Sequence, residues 1–266
     1  MNNLHRELAP VSAAAWSEIE EEARRTFAKY AAARRIVDVT VSEDPALSAV
    51  GTGHLKDIAA PATGVLARVR TVQPIVELQV PFTVSRDAVD DVERGAKDSD
   101  WQPVKDAAQT IAYTEDQLVF DGFGEGHIAG IRPASSLRAL TLPAEAKDYP
   151  IAVGDALAKL RAAGVDGPYS VLLSAKAYAA ATEAADHGYP VIDHLTQIVD
   201  GELIWTPAIE GACVVSTRGG DYELTFGQDL SIGYRGHDAS TVDLYFREAL
   251  TFVVHTPEAG VALTSA

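Results

Sequence analysis

Residues 212–263, ACVVSTRGGDYELTFGQDLSIGYRGHDASTVDLYFREALTFVVHTPEAGVAL, decide the fold. Val214, Val215, Tyr222, Leu224, Phe226, Leu230 and Ile232 mark two short strands, with the turn between the first pair at Arg218–Asp221. Val242, Leu244, Phe246, Leu250, Phe252 and Val254 then recur at every second position, apart from one slip around Glu248 and Ala249. A period of two with β-branched and aromatic residues predicts strand, and the slip predicts a bulge or bend. Phe246 and Phe252 are too apolar to lie uncovered, so helices from earlier in the chain must pack on this sheet.

Two such helices precede it. Trp16, Ile19, Ala23, Phe27 and Tyr30 share one face of a predicted helix over 12–34, with Ser12 as N-cap. Val104, Ala108, Ile111, Ala112, Glu115, Leu118 and Val119 share a face of a second, between Pro103 and Gly122. A short strand is predicted at Ile36–Val39 and a short helix at Ser85–Arg94, stopped by Gly95. Between them, GTGHLKDIAAPATG carries Gly51, Gly53, Pro61 and Gly64 and reads as irregular, whereas Val65–Val72 and Ile75–Val84 read as strands of a hairpin arm. Its apolar residues, among them Leu66, Val69, Val72, Ile75 and Leu78, cannot all be buried on one subunit, which predicts a partner surface. From Pro150 to Gly211 helices alternate with the short strands YSVLLS and ELIWTPAI, a compact α/β unit interrupted by the tight DHGYP loop, Asp186–Pro190.

Composition narrows the function. The 266 residues suffice for one large or two small domains, and 47% hydrophobic with 23% charged residues is the balance of a folded chain. No run approaches the 18 or so apolar residues of a membrane span, and the N-terminus lacks a basic-then-apolar leader, so cytoplasmic residence is expected. The single cysteine, Cys213, excludes an internal disulfide framework and reads as a buried small hydrophobe. A net charge of −16 opposes phosphate contacts, so no nucleic-acid partner is expected. His187 and His194 are seven apart, but Gly188 and Pro190 break any helix between them, and no third metal ligand is evident. Gly124-x-Gly126-x-x-Ala129 follows a helix rather than a strand, against a dinucleotide fingerprint. No serine elbow, HExxH or P-loop occurs.

RGGDYELTFGQDLSIGY, the LTFVVHTPEAGVAL segment, GPYSVLL and the HGYP loop resemble the family 1 encapsulin shell proteins, relatives of the tailed-phage major capsid proteins. So do LHRELAP and RRIVDV, with Leu4, Arg6, Ala9, Pro10, Trp16 and Ile19 at matching positions. The resemblance implies an α+β, tailed-phage major-capsid-like fold. Its peripheral domain would comprise 1–43, 85–133 and 221–266, its E-loop arm 44–84 and its axial domain 134–220. It also implies a non-catalytic, cofactor-free subunit of an icosahedral nanocompartment of about 60 copies. Such a shell encloses a dye-decolourising peroxidase or ferritin-like protein through a C-terminal targeting peptide and serves against oxidative stress. The implied peptide groove is Phe27, Tyr30, Arg34, Asp38, Asp229, Ser231 and Ile232, and the implied fivefold pore is Asp186, His187, Gly188 and Tyr189. Where some members stack a flavin on tryptophan, this chain has Asp87, so no flavin is expected. The rivals are a genome-packaging phage capsid subunit and, from another class, a hydrolase with its site in the axial domain.

Overall fold

In the computed structural model, which describes residues 3–42, 44 and 46–265, Ser12 opens the first helix. Its hydroxyl accepts the Ala15 amide at 3.1 Å, and α1 (Ala13–Tyr30) buries Ala15, Ile19, Ala23 and Phe27 along one face. The helix stops at Tyr30, four residues short of the prediction, because a buried carboxylate draws the chain away. Asp116 accepts the amides of Ala32 and Ala33 at 2.8–3.0 Å and turns residues 31–36 into the core. Ile36 is buried there, so β1 (Asp38–Val41) starts two residues later than predicted.

The hairpin arm is β2 (Ala49–Ile58) paired antiparallel with β3 (Ala67–Pro74), so GTGHLKDI is strand and not an irregular tip. Gly53, at φ 76°, lies in a register break between Gly51 and Leu55, which is how the strand tolerates its glycines. Ile75 and Leu78 fall outside this hairpin. The chain leaves β3 and enters β4 (Val76–Ser85), which pairs with a strand of the main sheet, and Leu78 packs on the core. Ser85 then caps α2 (Arg86–Glu93), and Pro103 sits in the first turn of the long α3 (Gln102–Phe120).

The first sheet has the order β1, β11 (Tyr222–His237), β12 (Thr241–Val254), β4. β11 is one 16-residue strand rather than two short ones, and the bulges are in it, near Gly227, around Asp229–Leu230 and near Arg235. β12 runs unbroken against β4, with Val242, Leu244, Phe246, Glu248, Leu250 and Phe252 all buried. The predicted slip at Glu248 is therefore an acid at a core position. α1 and α3 cover this face, and Ile19, Phe27, Phe82, Ile111, Leu244 and Phe246 close one cluster. Burial of such side chains contributes about 1.5–3 kcal/mol each.

The second sheet has the order β5 (Leu140–Leu142), β13 (Gly260–Ser265), β10 (Ala212–Ser216), β6 (Tyr169–Leu173), β9 (Leu203–Trp205). Around it lie α4 (Ile131–Ala134), α5 (Tyr149–Ala162), α6 (Ala175–Glu183) and α7 (Val191–Ile198). β10 and β11 thus belong to different sheets, and Arg218–Asp221 is a crossing rather than a hairpin turn. Gly219 and Gly220, at φ 85° and 78°, permit the sharp change of direction, and Asp38 accepts the Gly220 amide at 2.6 Å. Residues 221–266, expected as one sheet, are likewise divided, since β13 inserts between β5 and β10.

Candidate functional site

A groove of about 410 Å³ is bounded by α1, by the bulged part of β11 and by the N-terminal residues Leu4 and Arg6. Five of the seven predicted groove residues meet there: Phe27, Arg34, Asp229, Ser231 and Ile232. The bulges in β11 are what turn Asp229 and Ser231 toward α1, because each extra residue re-aims the side chains after it. Ile232 is only 5% exposed and packs with Phe27 and Phe246 in the core, so it forms floor rather than rim.

Tyr30 and Asp38 lie elsewhere. The Tyr30 ring meets Tyr113 edge-on at 5.4 Å and Trp205 at 5.6 Å, tying α1 to α3 and to the second sheet. Asp38 is committed to the Gly220 amide. Sequence reasoning missed Leu4, Arg6, Glu20, Arg24 and Leu230 as lining residues. Leu230 carried a signal in the strand period, whereas Leu4 and Arg6 sit in a segment with no periodicity. Arg6 is held by an ion pair to Glu20 at 2.5 Å and lies 4.2 Å from the Trp16 ring.

Arg34 is the electrostatic centre. Its guanidinium carbon lies 4.7 Å from the Phe27 ring centre and 4.4 Å from that of Phe226. Nε donates to Glu115 Oε1 at 2.8 Å and Nη2 to Glu115 Oε2 at 2.6 Å, a two-pronged charged pair. Nη2 also reaches Glu248 Oε1 at 3.3 Å, and Nη1 pairs with Asp229 at 2.9 Å on the groove wall. Glu115 and Glu248 are both 0% exposed. Burial, and then the charge of Glu115, hold the Glu248 carboxyl well above its ordinary range. Burial likewise pushes Asp116 up to about 7, against the amides of Ala33 and Ala32, and the Cys213 thiol up to about 12.

The predicted pore residues form a small hairpin. β7 (Ala185–Asp186) and β8 (Tyr189–Pro190) are joined by His187 and Gly188 at φ 47° and 88°, the two positive values of a tight two-residue turn. The His187 side chain is 94% exposed, and Tyr189 lies 6.0 Å from the His194 ring. Among the described residues, no group of three or more His, Cys, Asp or Glu is placed to hold a metal ion. On the arm, Leu66 is 89% exposed and Val69 46%, with Leu55, Ile58 and Val72 also exposed.

The model of a protein family described as encapsulating protein for peroxidase matches residues 1–251. A type 1 encapsulin shell protein of Rhodococcus erythropolis is 58% identical over 263 residues, covering 99% of this chain and 100% of its own length. Another, of Mycobacterium tuberculosis, is 55% identical over 264 residues, at 99% and 100%. Among solved structures, a virus-like particle from Pyrococcus furiosus superposes with a TM-score of 0.67 at 19% identity, over 93% of this chain and 98% of that one. The capsid of Myoviridae phage XM1 does so at 0.58 with 12% identity, over 88% and 90%. At these low identities the likeness is one of fold: two sheets, a long helix and a hairpin arm in the tailed-phage capsid arrangement. The sequence matches go further, and over nearly its whole length the chain belongs to the type 1 encapsulin shell proteins.

Proposed function

We propose that copies of this chain close into an icosahedral compartment of about 60 subunits in the cytoplasm, around an enzyme held by its C-terminal tail. The groove beside Arg34 carries this reading. It offers an apolar floor of Phe27, Ile232 and Phe246 next to a fixed charge pair, Arg34–Asp229, a combination that suits a short apolar peptide with its backbone oriented. The enclosed enzyme is a dye-decolourising peroxidase or a ferritin-like protein, and membership of a family of encapsulating proteins for peroxidase favours the first. The shell chain itself performs no catalysis. Self-assembly is supported by the arm, whose exposed Leu66, Val69 and Val72 would be covered by a neighbouring subunit. The hairpin at Asp186–Tyr189 would line an opening of the closed shell.

The test is coexpression of this chain with a peroxidase or ferritin-like protein encoded beside it, with and without the last residues of that partner. Closed particles in negative stain, retaining the partner only when its tail is intact, are the expected result. Ala28→Trp, at an exposed position lining the groove, should fill the groove and empty the particles without stopping assembly. Retention independent of the tail, or unchanged by Ala28→Trp, would overturn the assignment of the groove.

A further inference from the structure

One cation, Arg34, faces three carboxyl groups, and two of these are fully enclosed. Three of the elements packed around Glu248 supply charge. Arg34 comes from the turn after α1, Glu115 from α3 and Asp229 from β11, while β4 places the apolar Leu78 opposite Glu248 in the ladder. Asp116, next on α3, is turned to the amides of Ala32 and Ala33. Arg247 is paired with Glu77, and among the described residues Glu248 is paired with Arg34.

The Glu248 and Glu115 carboxyl groups meet at one guanidinium nitrogen: Arg34 Nη2 reaches Glu248 Oε1 at 3.3 Å and Glu115 Oε2 at 2.6 Å. Two fully enclosed carboxylates sharing one guanidinium leave a buried charge uncompensated unless one of them carries a proton. The geometry says which one. Glu115 takes the two-pronged bond from Arg34, so it holds the negative charge. Glu248 receives only the 3.3 Å contact through Oε1, and its buried Oε2 accepts no bond from any donor. A hydroxyl on that carboxyl, donating to Glu115, satisfies both groups.

We propose that Glu248 is a protonated positioning residue: a hydrogen bond from it to Glu115 fixes Arg34 against Asp229 on the groove wall, and loss of the proton as pH rises withdraws Arg34 and loosens the hold on an apolar tail. When the proton leaves to solvent, Glu115 and Glu248 become two enclosed anions competing for one guanidinium. Arg34 is then drawn inward toward Glu248, and its 2.9 Å contact with the half-exposed Asp229 is the one that yields. The sign is fixed by burial. A carboxyl held above its ordinary value stabilises the fold in its protonated form, and that contribution is lost as pH rises from about 4.5 toward its raised value.

This inference rests on the groove being the tail site, and its own test does not need cargo. Empty shells should show an infrared carbonyl band of a protonated carboxyl above pH 4.5 that weakens in Glu248→Gln. Their melting temperature should fall by about 5 °C as pH is raised above about 4.5, and fall less in Glu248→Gln, which keeps a donor but cannot ionise. Should Glu248→Gln not fold, Glu115→Gln serves. It removes the acceptor anion, so the carbonyl band should shift and the loss of stability with rising pH should shrink. No such band in wild type, or the same pH slope in wild type and Glu248→Gln, overturns the proposal. With filled shells, wild type should release the tailed partner as pH rises while Glu248→Gln retains it. Identical release profiles in the two also count against it. Absence of retention at every pH would reject the groove as tail site and leave the band and slope to decide the proton.

Discussion

The guanidinium of Arg34 lies 4.4 Å from the Phe226 ring and 2.6 Å from the Glu115 carboxylate at once, so one side chain joins the short turn after α1 to β11 and to α3. Removing it strands two enclosed carboxyl groups. Arg34→Met is expected to cost about 3–5 kcal/mol. Glu115→Gln added to it should recover part of that loss, because the uncompensated charge goes with it. Urea denaturation of the two variants and of the pair measures the coupling, and simple additivity would mean that Arg34 and Glu115 act independently.

The floor and the rim of the groove should separate experimentally. Ile232→Ala opens a cavity in the core and is expected to lose about 2–5 kcal/mol. Ala28→Trp touches the rim and should stay within about 0.5 kcal/mol of wild type. Both should lower retention of a tailed partner, but only the first should lower the melting temperature. Equal melting temperatures would show that Ile232 is not part of the packing.

Val69 is half-exposed on the isolated subunit, so Val69→Asp should leave the fold of the subunit intact. Once a neighbour covers it, the charge costs several kcal/mol if unpaired, about the desolvation of a polar group or more. Circular dichroism like that of wild type, together with small oligomers in place of particles, is the expected pattern. Normal particles at normal yield would remove the arm from the seam.

Gly188 sits at φ 88°, where a β-branched side chain adds about 1–3 kcal/mol of local strain. Gly188→Val should distort the Asp186–Tyr189 hairpin, and deleting those four residues should remove it. In the deletion, an enclosed peroxidase should gain rate on bulky substrates relative to small ones, with particle size unchanged. A constant ratio of the two rates would deny this hairpin a role in passage.

The sheet, its helical cover and the α/β unit were legible because each rests on a repeating pattern: period two in β12, helical spacing in α1 and α3. What escaped reading depended on partners distant in sequence. The end of α1 is set by Asp116, some eighty residues on, through bonds to two backbone amides. Glu248 looked like a slip because an acid at a core position breaks the pattern unless Arg34 is known to reach it. Tyr30 and Asp38 belonged to the predicted groove by resemblance, yet their neighbours Trp205 and Gly220 lie in parts of the chain that no local pattern connects to α1. RGGD has the composition of a hairpin turn, and only the sheet assignments of β10 and β11 make it a crossing.

The place of β13 in the second sheet has a consequence for biosynthesis. β5 leaves the ribosome well before its ladder partner, which follows only after the whole of the first sheet has been made, since Leu140 pairs with Leu263 and Thr141 with Thr264. Until then β5 has no neighbour and β10 offers an open edge, the kind of surface that recruits strands from other chains. The second sheet is therefore complete only once Gly260–Ser265 have been made. A nascent or prematurely ended chain that stops short of Gly260 keeps an unfinished second sheet, and such chains would be marked for aggregation or degradation before they could enter a shell and flaw it.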